Sequence, residues 1–200
     1  MEELQLKETT GTHQRVIDMV AHELITKERI EEWKELPGVA SGVDISRDIV
    51  KLVAIERHKN TGHVGLGFLG KYGLKKGAVA TSIGHDSHNL VIAGVTDEDI
   101  VLAGNRVIEN GGGLAIALDG KVLADLPLPI GGLMADEPVE VVDEKLEHMK
   151  KISMELGISE DIDAFMTLAF ISLPVIPKLR LNTYGIVDVE KHQVVKARFE

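Results

Sequence analysis

The densest cluster of reactive side chains in this sequence is Gly84-His85-Asp86-Ser87-His88-Asn89, set between two apolar runs. Five polar side chains in succession exceed what a strand–strand turn needs, because a single Asp-Gly suffices at Asp119-Gly120. Two imidazoles flanking a carboxylate, with a hydroxyl and an amide beside them, could bind a divalent metal, shuttle a proton or contact the edge of a polar heterocycle. The same residues also suit a hydrogen-bonded turn whose side chains satisfy loop backbone groups. A metal needs three or four ligands, and the His-x-x-His spacing supplies two.

Further candidates lie upstream. Glu56, Arg57 and His58 end an apolar segment, and His63 opens the next after a short break. Converging with His85 and His88, His58 and His63 would make a small His-based metal site. Taken singly, His58 reads as a favourable cation at a helix C-terminus. The segment Leu126–Met134 carries Pro127 and Pro129 two residues apart and then Gly131-Gly132. It fits either an edge strand turning into a ligand or partner surface, or a rigid crossover. Gly111–Gly113 follows a helix instead of preceding one, so it reads as a C-cap and not as a phosphate loop. The sequence contains no HxH pair, GxSxG elbow, Walker sequence or dinucleotide fingerprint.

The elements that must position these residues follow from hydrophobic period. Ile45, Ile49, Leu52 and Val53 suggest a helix capped by Asp44 or Ser46 and running into Glu56-Arg57-His58. From His63 the pattern shifts to short apolar runs, HVGLGFLG, GAVATSI and NLVIAGV, bounded by Gly, Asp and Asn, which read as strands. Thr96-Asp97-Glu98-Asp99 opens a helix with Ile100, Ala103, Val107 and Ile108 on one side. GLAIALDGKVLADLPL is a hairpin turning at Asp119-Gly120, and Asp136-Glu137-Pro138 starts a helix with Val139, Val142, Leu146, Met149, Ile152 and Leu156 inward. Residues 77–111 and 112–157 therefore share a strand–strand–helix order, a ββα pseudo-repeat in element order and not in residue identity. The expected fold is α+β, a mostly antiparallel sheet with helices on one face. Residues 1–40 read as an N-terminal extension or linker and 41–200 as the domain proper.

Composition narrows the function classes. The chain has 200 residues, enough for one large domain, and 22 Lys+Arg against 32 Asp+Glu leave a net charge of −10. That balance speaks against nonspecific attraction to nucleic acid or an anionic membrane. Zero cysteines exclude disulfides, a thiol nucleophile and thiolate metal sites. The first residues carry no apolar signal region, and the longest apolar stretch, 164–176, is too short to span a bilayer. A cytoplasmic location is expected.

Three blocks, GHDSHNLVIAGVTDEDI, GGGLAIALDGKVLADLPLPIGGLMAD and FMTLAFISLPVIPKLRLNTYGIVDV, resemble in collinear order the carboxy-terminal domain of microbial adenine deaminase. The resemblance covers about residues 11–200. Within it His85, Asp86, Ser87, His88 and Asn89 match the family's most distinctive motif, Arg57-His58 an upstream Arg-His element, and Pro127, Pro129, Gly132, Leu133 and Met134 a Pro-rich element. It implies a part of a metal-dependent amidohydrolase that converts adenine and water to hypoxanthine and ammonia. The family's metal, Mn, Fe or Zn, sits on a (β/α)8 barrel preceding this domain. A barrel of about 250 residues does not fit in this chain, so no metal ligand is carried over. What the resemblance implies is a domain that covers or completes the barrel's active site. His85, Asp86 and His88 would then make substrate or proton contacts, and Ser87, Asn89, Arg57 and His58 would bind the purine. The implied partners are adenine, the barrel domain or a second copy in a homo-oligomer. Two other readings stand beside it: a non-catalytic oligomerisation or ligand-binding module, and a freestanding hydrolase using His58, His63, His85 and His88.

Overall fold

Strands in the middle of this protein are apolar at nearly every position, and the computed structural model, which describes Leu4 and residues 10–200, buries them on both faces. The strands are β1 (His13–Met19), β2 (Thr26–Glu32), β3 (Ile49–Ile55), β4 (Val64–Gly70), β5 (Ala78–Thr81), β6 (Leu90–Gly94), β7 (Gly113–Leu118) and β8 (Lys121–Pro127). They are followed by β9 (Leu179–Asn182), β10 (Gly185–Asp188), β11 (Gln193–Val195) and β12 (Arg198–Phe199). The helices are α1 (Asp97–Glu109), α2 (Val139–Glu155) and α3 (Ala164–Ile171).

Among the described residues the principal sheet runs β12-β1-β4-β3-β6-β5-β7-β8, with β2 also paired to β1, and β11-β10-β9 form a second sheet. All neighbouring strands are antiparallel except β1 and β4. β1 pairs with β2 along its whole length, with β4 at its end and with β12 at its start, where His13 faces Phe199. Residues 13–32, within the segment read as an extension or linker, contribute two strands to this sheet. No barrel closes.

The α+β class and the mostly antiparallel sheet agree with the sequence, and so does the ββα order of β5-β6-α1 and β7-β8-α2. The helices differ from expectation by lying on both faces. α1 sets Ile100, Ala103 and Val107 over Ala78, Ala80, Ala115 and Ala117, whose small side chains let the helix approach closely. α2 and α3 cover the opposite face, with Met149, Leu168 and Ile171 in one cluster with Val79, Val91 and Ile116. A sheet apolar on both sides exposes one face to water unless both are covered.

The helix expected over 45–53 is absent. Asp44 caps a single 3-10 turn, Ile45–Arg47, by accepting hydrogen bonds from Ser46 N and Arg47 N at 3.0 and 3.3 Å. Asp48 then adopts a left-handed conformation (φ 51°), which ends the turn. Ile49–Ile55 continues as β3 between β4 and β6, where a continuous apolar run satisfies a two-sided strand better than a one-sided helix. The α1 start is as expected: Thr96 Oγ1 accepts from Asp99 N at 3.2 Å, with three acids in the first turn. In α2 the expected stripe holds at Met149 and Leu156 and, half-buried against the core, at Val142, Leu146 and Ile152, whereas Val139 is exposed.

Candidate functional site

Three connections meet at one end of the principal sheet: residues 56–63 after β3, residues 82–89 between β5 and β6, and residues 128–134 after β8. Antiparallel pairing places these ends together, because β3 and β5 both flank β6.

The backbone of the 84–89 loop is satisfied largely from outside. His85 N–H donates to the Ala169 carbonyl of α3 at 2.8 Å, and Ser172 Oγ donates to the His85 carbonyl at 3.1 Å. Within the loop, His88 N–H donates to Gly84 O at 2.6 Å. The His58 ring nitrogen Nε2 meets the Ser87 carbonyl at 2.7 Å, and Arg57 Nε donates to the His88 carbonyl at 2.6 Å. Asn89 Oδ1 takes a long bond from Arg57 N–H at 3.4 Å. The loop's reactive side chains are therefore mostly not consumed in holding its own shape.

Those side chains occupy distinct environments. The Asp86 carboxylate is 86% exposed, and its Oδ1 lies 3.4 Å from His85 Nδ1. The His85 imidazole is 41% exposed and stacks on Phe170 of α3, with ring centroids 4.7 Å apart. Its centroid is 6.4 Å from that of His88. His88 is half-buried, and its Nδ1 has no hydrogen-bond partner among the described residues. Ser87 is exposed and Asn89 half-buried. Two imidazoles and a carboxylate so placed can exchange protons and hydrogen-bond the edge of a flat polar molecule.

Arg57 reaches two loops. Besides the His88 carbonyl, its guanidinium donates to Gly131 O at 2.6 Å. Beneath this link Ser82 Oγ donates to Gly132 O at 2.6 Å and accepts from Gly113 N–H at 2.8 Å, tying the Pro-rich turn to the start of β7. Pro127 ends β8, and Ile130 pairs with Met134 across the turn, so this segment is a closed loop instead of an extended edge. Leu133 is half-buried, while Pro129 and Met134 are exposed.

His63 is not brought to this cluster. Its ring packs on Tyr184 with centroids 4.8 Å apart, and its carbonyl accepts from Glu56 N–H at 3.0 Å. Glu56 instead organises the 56–61 loop: its carboxylate accepts from the backbone N–H groups of Thr61, His58 and Lys59. Those bonds, led by that from Thr61, draw its pKa down to about 2. Because β3 is a strand, His58 does not cap a helix, and the dipole explanation for it falls. The set of four histidines does not fit a metal centre: among the described residues no three His, Asp or Glu side chains are placed to share an ion.

Sequence reasoning missed Phe170, Ser172 and Ser82. Ser172 interrupts an apolar run and so left a weak trace, whereas the Phe170 contact joins residues far apart in sequence and left none. Phe170 also lines a cavity of about 390 Å³ bordered by Met19, Leu24, Met166 and Arg180. The Arg180 pKa is lowered to about 10 by burial.

The comparisons with known proteins agree on one family. The family model for the adenine deaminase C-terminal domain matches residues 23–193. Adenine deaminase 2 of Carboxydothermus hydrogenoformans is 49% identical over 181 residues, covering 90% of this chain and 32% of that protein. Adenine deaminase of Kosmotoga olearia is 47% identical over 185 residues, 92% of this chain and 32% of the relative. The Archaeoglobus fulgidus adenine deaminase is 47% identical over 194 residues, 97% and 33% respectively. The chain thus spans about a third of the length of these relatives. Among the described residues, no helix is long and apolar enough to cross a membrane. With the matched stretch covering most of the chain and holding all three converging connections, this protein belongs to the adenine deaminase C-terminal domain family.

Proposed function

We propose that this chain serves adenine deamination, the conversion of adenine and water to hypoxanthine and ammonia, as the domain that covers or completes a purine site. The 84–89 loop is the contact. His85 and His88 exchange protons or hydrogen bonds with ring nitrogens, Asp86 sets the polarity beside His85, and Ser87 and Asn89 add neutral donors and acceptors. The observation that carries this reading is the loop's bonding pattern. Its backbone is held by Ala169, Ser172, His58 and Arg57, leaving the imidazoles and the Asp86 carboxylate available to a ligand. A turn that used its side chains only to satisfy itself would show the reverse.

A metal held outside the described residues would supply an activated hydroxide for the attack on adenine. The residues described here do not form a ligand set for one, so no step is assigned to them through a metal. Their part is to close over the purine, exclude water and offer hydrogen bonds at its edge. His85→Ala and His88→Ala in a full-length relative test this: a fall in kcat/KM of about 10²-fold is expected, and unchanged values in both variants sink it.

A second reading rests on a different observation. Ile130, Met134 and Val139 are 48%, 60% and 73% exposed along one short segment, an apolar surface suited to association of copies. On that reading Met134→Lys would dissolve an oligomer seen by light scattering and leave the 84–89 variants without effect on turnover.

A further inference from the structure

We infer that Arg57 is a positioning residue, whose guanidinium holds the 84–89 loop and the 129–134 turn as one unit and fixes the orientation in which the His88 imidazole is presented.

The reasons lie in what the guanidinium touches. Both of its recorded bonds, Nε to His88 O and a terminal nitrogen to Gly131 O, end on main-chain carbonyls, each at 2.6 Å. An arginine meant for a ligand would leave its donors facing open space; this one spends two of them on two loops 43 residues apart in sequence, His88 and Gly131. His88 is the residue that needs such support. Its φ is 49°, in the left-handed region that costs a residue with a Cβ some strain, and it is bonded at both main-chain ends: its N–H to Gly84 O and its carbonyl to Arg57. Loss of either bond frees the residue to return to an ordinary conformation, which swings the imidazole elsewhere.

The other loop is shaped around the same guanidinium. Gly132 has φ 77°, which favours glycine, and a Cβ built there would stand 2.2 Å from an Arg57 terminal nitrogen, so a side chain there would displace the guanidinium. Gly112 shows the same closeness from the far side, since its Cβ would lie 2.3 Å from Gly132 Cα. With Ser82 bonding Gly132 O and Gly113 N–H, the turn is wedged between the start of β7 and Arg57.

The clamp matters for turnover only if the 84–89 loop contacts a purine, but it is measurable without any substrate, so failure of one is separable from failure of the other. Amide exchange and imidazole NMR on the 200-residue chain make the test, with circular dichroism as the check on folding. In Arg57→Ala, exchange at the His88 amide and at the Leu133 and Met134 amides should rise together by at least about tenfold, while α1 amides keep their protection. The His88 imidazole signal should move while that of His148 on α2 stays in place. Arg57→Lys keeps the charge but not the planar fork, and should restore the loops only in part. Gly132→Ala, strained at φ 77° and pressed against the guanidinium, should also loosen both loops. The clamp is overturned if one loop responds without the other, or if lysine restores both loops fully. Should Arg57→Ala not fold, Arg57→Lys decides: selective loosening of both loops supports the clamp, and uniform loosening that includes α1 and β6 overturns it.

Discussion

The β5–β6 and β7–β8 connections stand at corresponding places in two successive strand–strand–helix units, yet they are built on different principles. Asp119 and Gly120 close β7–β8 with two positive φ angles, 51° and 74°, and a Cβ at Gly120 would meet nothing within 4 Å. That is the least a hairpin needs. Residues 82–89 do the same topological task with a loop anchored to α3, to Arg57 and His58, and through Ser82 to the Pro-rich turn. The comparison teaches that the excess in the longer loop goes into holding side chains in place, not into reversing the chain.

Breaking the shared scaffold should produce the largest effects and should not distinguish the units. Ile92→Ala on β6 and Ile116→Ala on β7 each remove a buried side chain from the sheet. Each should cost about 2–5 kcal/mol in denaturant unfolding. A much smaller loss at one of them would show that the two units do not bear the core equally.

Next in size is the functional contrast. In a full-length relative, His88→Ala should lower kcat/KM by about 10²-fold, near 2.7 kcal/mol, while Asp119→Ala at the minimal turn should leave it within about twofold. Equal effects at both turns would erase the distinction. A smaller effect is expected at the junction of the first unit's strands with its helix. Thr96→Ala removes the cap on Asp99 N–H and should lower stability by about 1 kcal/mol, read as a shifted midpoint with unchanged denaturant slope.

The smallest effect concerns pH. The Glu56 carboxylate is held near pKa 2 by the Thr61, His58 and Lys59 amides, below its ordinary 4.5. A depressed carboxylate pKa stabilises the fold above the unfolded value. The ordering of residues 56–61 should therefore be complete above about pH 4.5 and vanish as pH falls through about 2. Amide exchange at Thr61 across that window checks it, and Glu56→Gln should flatten the dependence.

Much of this architecture was readable from residue order. The Asp119-Gly120 hairpin, the Thr96 cap and the glycine stop at Gly111 are local signals, and local chemistry decides them. The 45–55 segment misled because i, i+4 and i+7 spacing also occurs by chance within a run that is apolar throughout. Burial between β4 and β6 then favours the strand. The placement of helices on both faces needed knowledge of which strands pair, and no local pattern encodes that. The candidate site was legible as a composition anomaly at 84–89 and as a family motif. Its geometry was not: the Arg57 bridge to Gly131, the Phe170 ring under His85 and the diversion of His63 to Tyr184 all join distant parts of the chain.

The pairing of His13 with Phe199 has a consequence for how the sheet comes apart. It closes a loop over nearly all the described residues, whereas β1 reaches β2 and β4 across far shorter stretches. The β1–β12 ladder also joins only His13 with Phe199 and Gln14 with Arg198, while β2 pairs with β1 along its whole length. Fraying should therefore release β12 first and leave the β1–β2 hairpin in register.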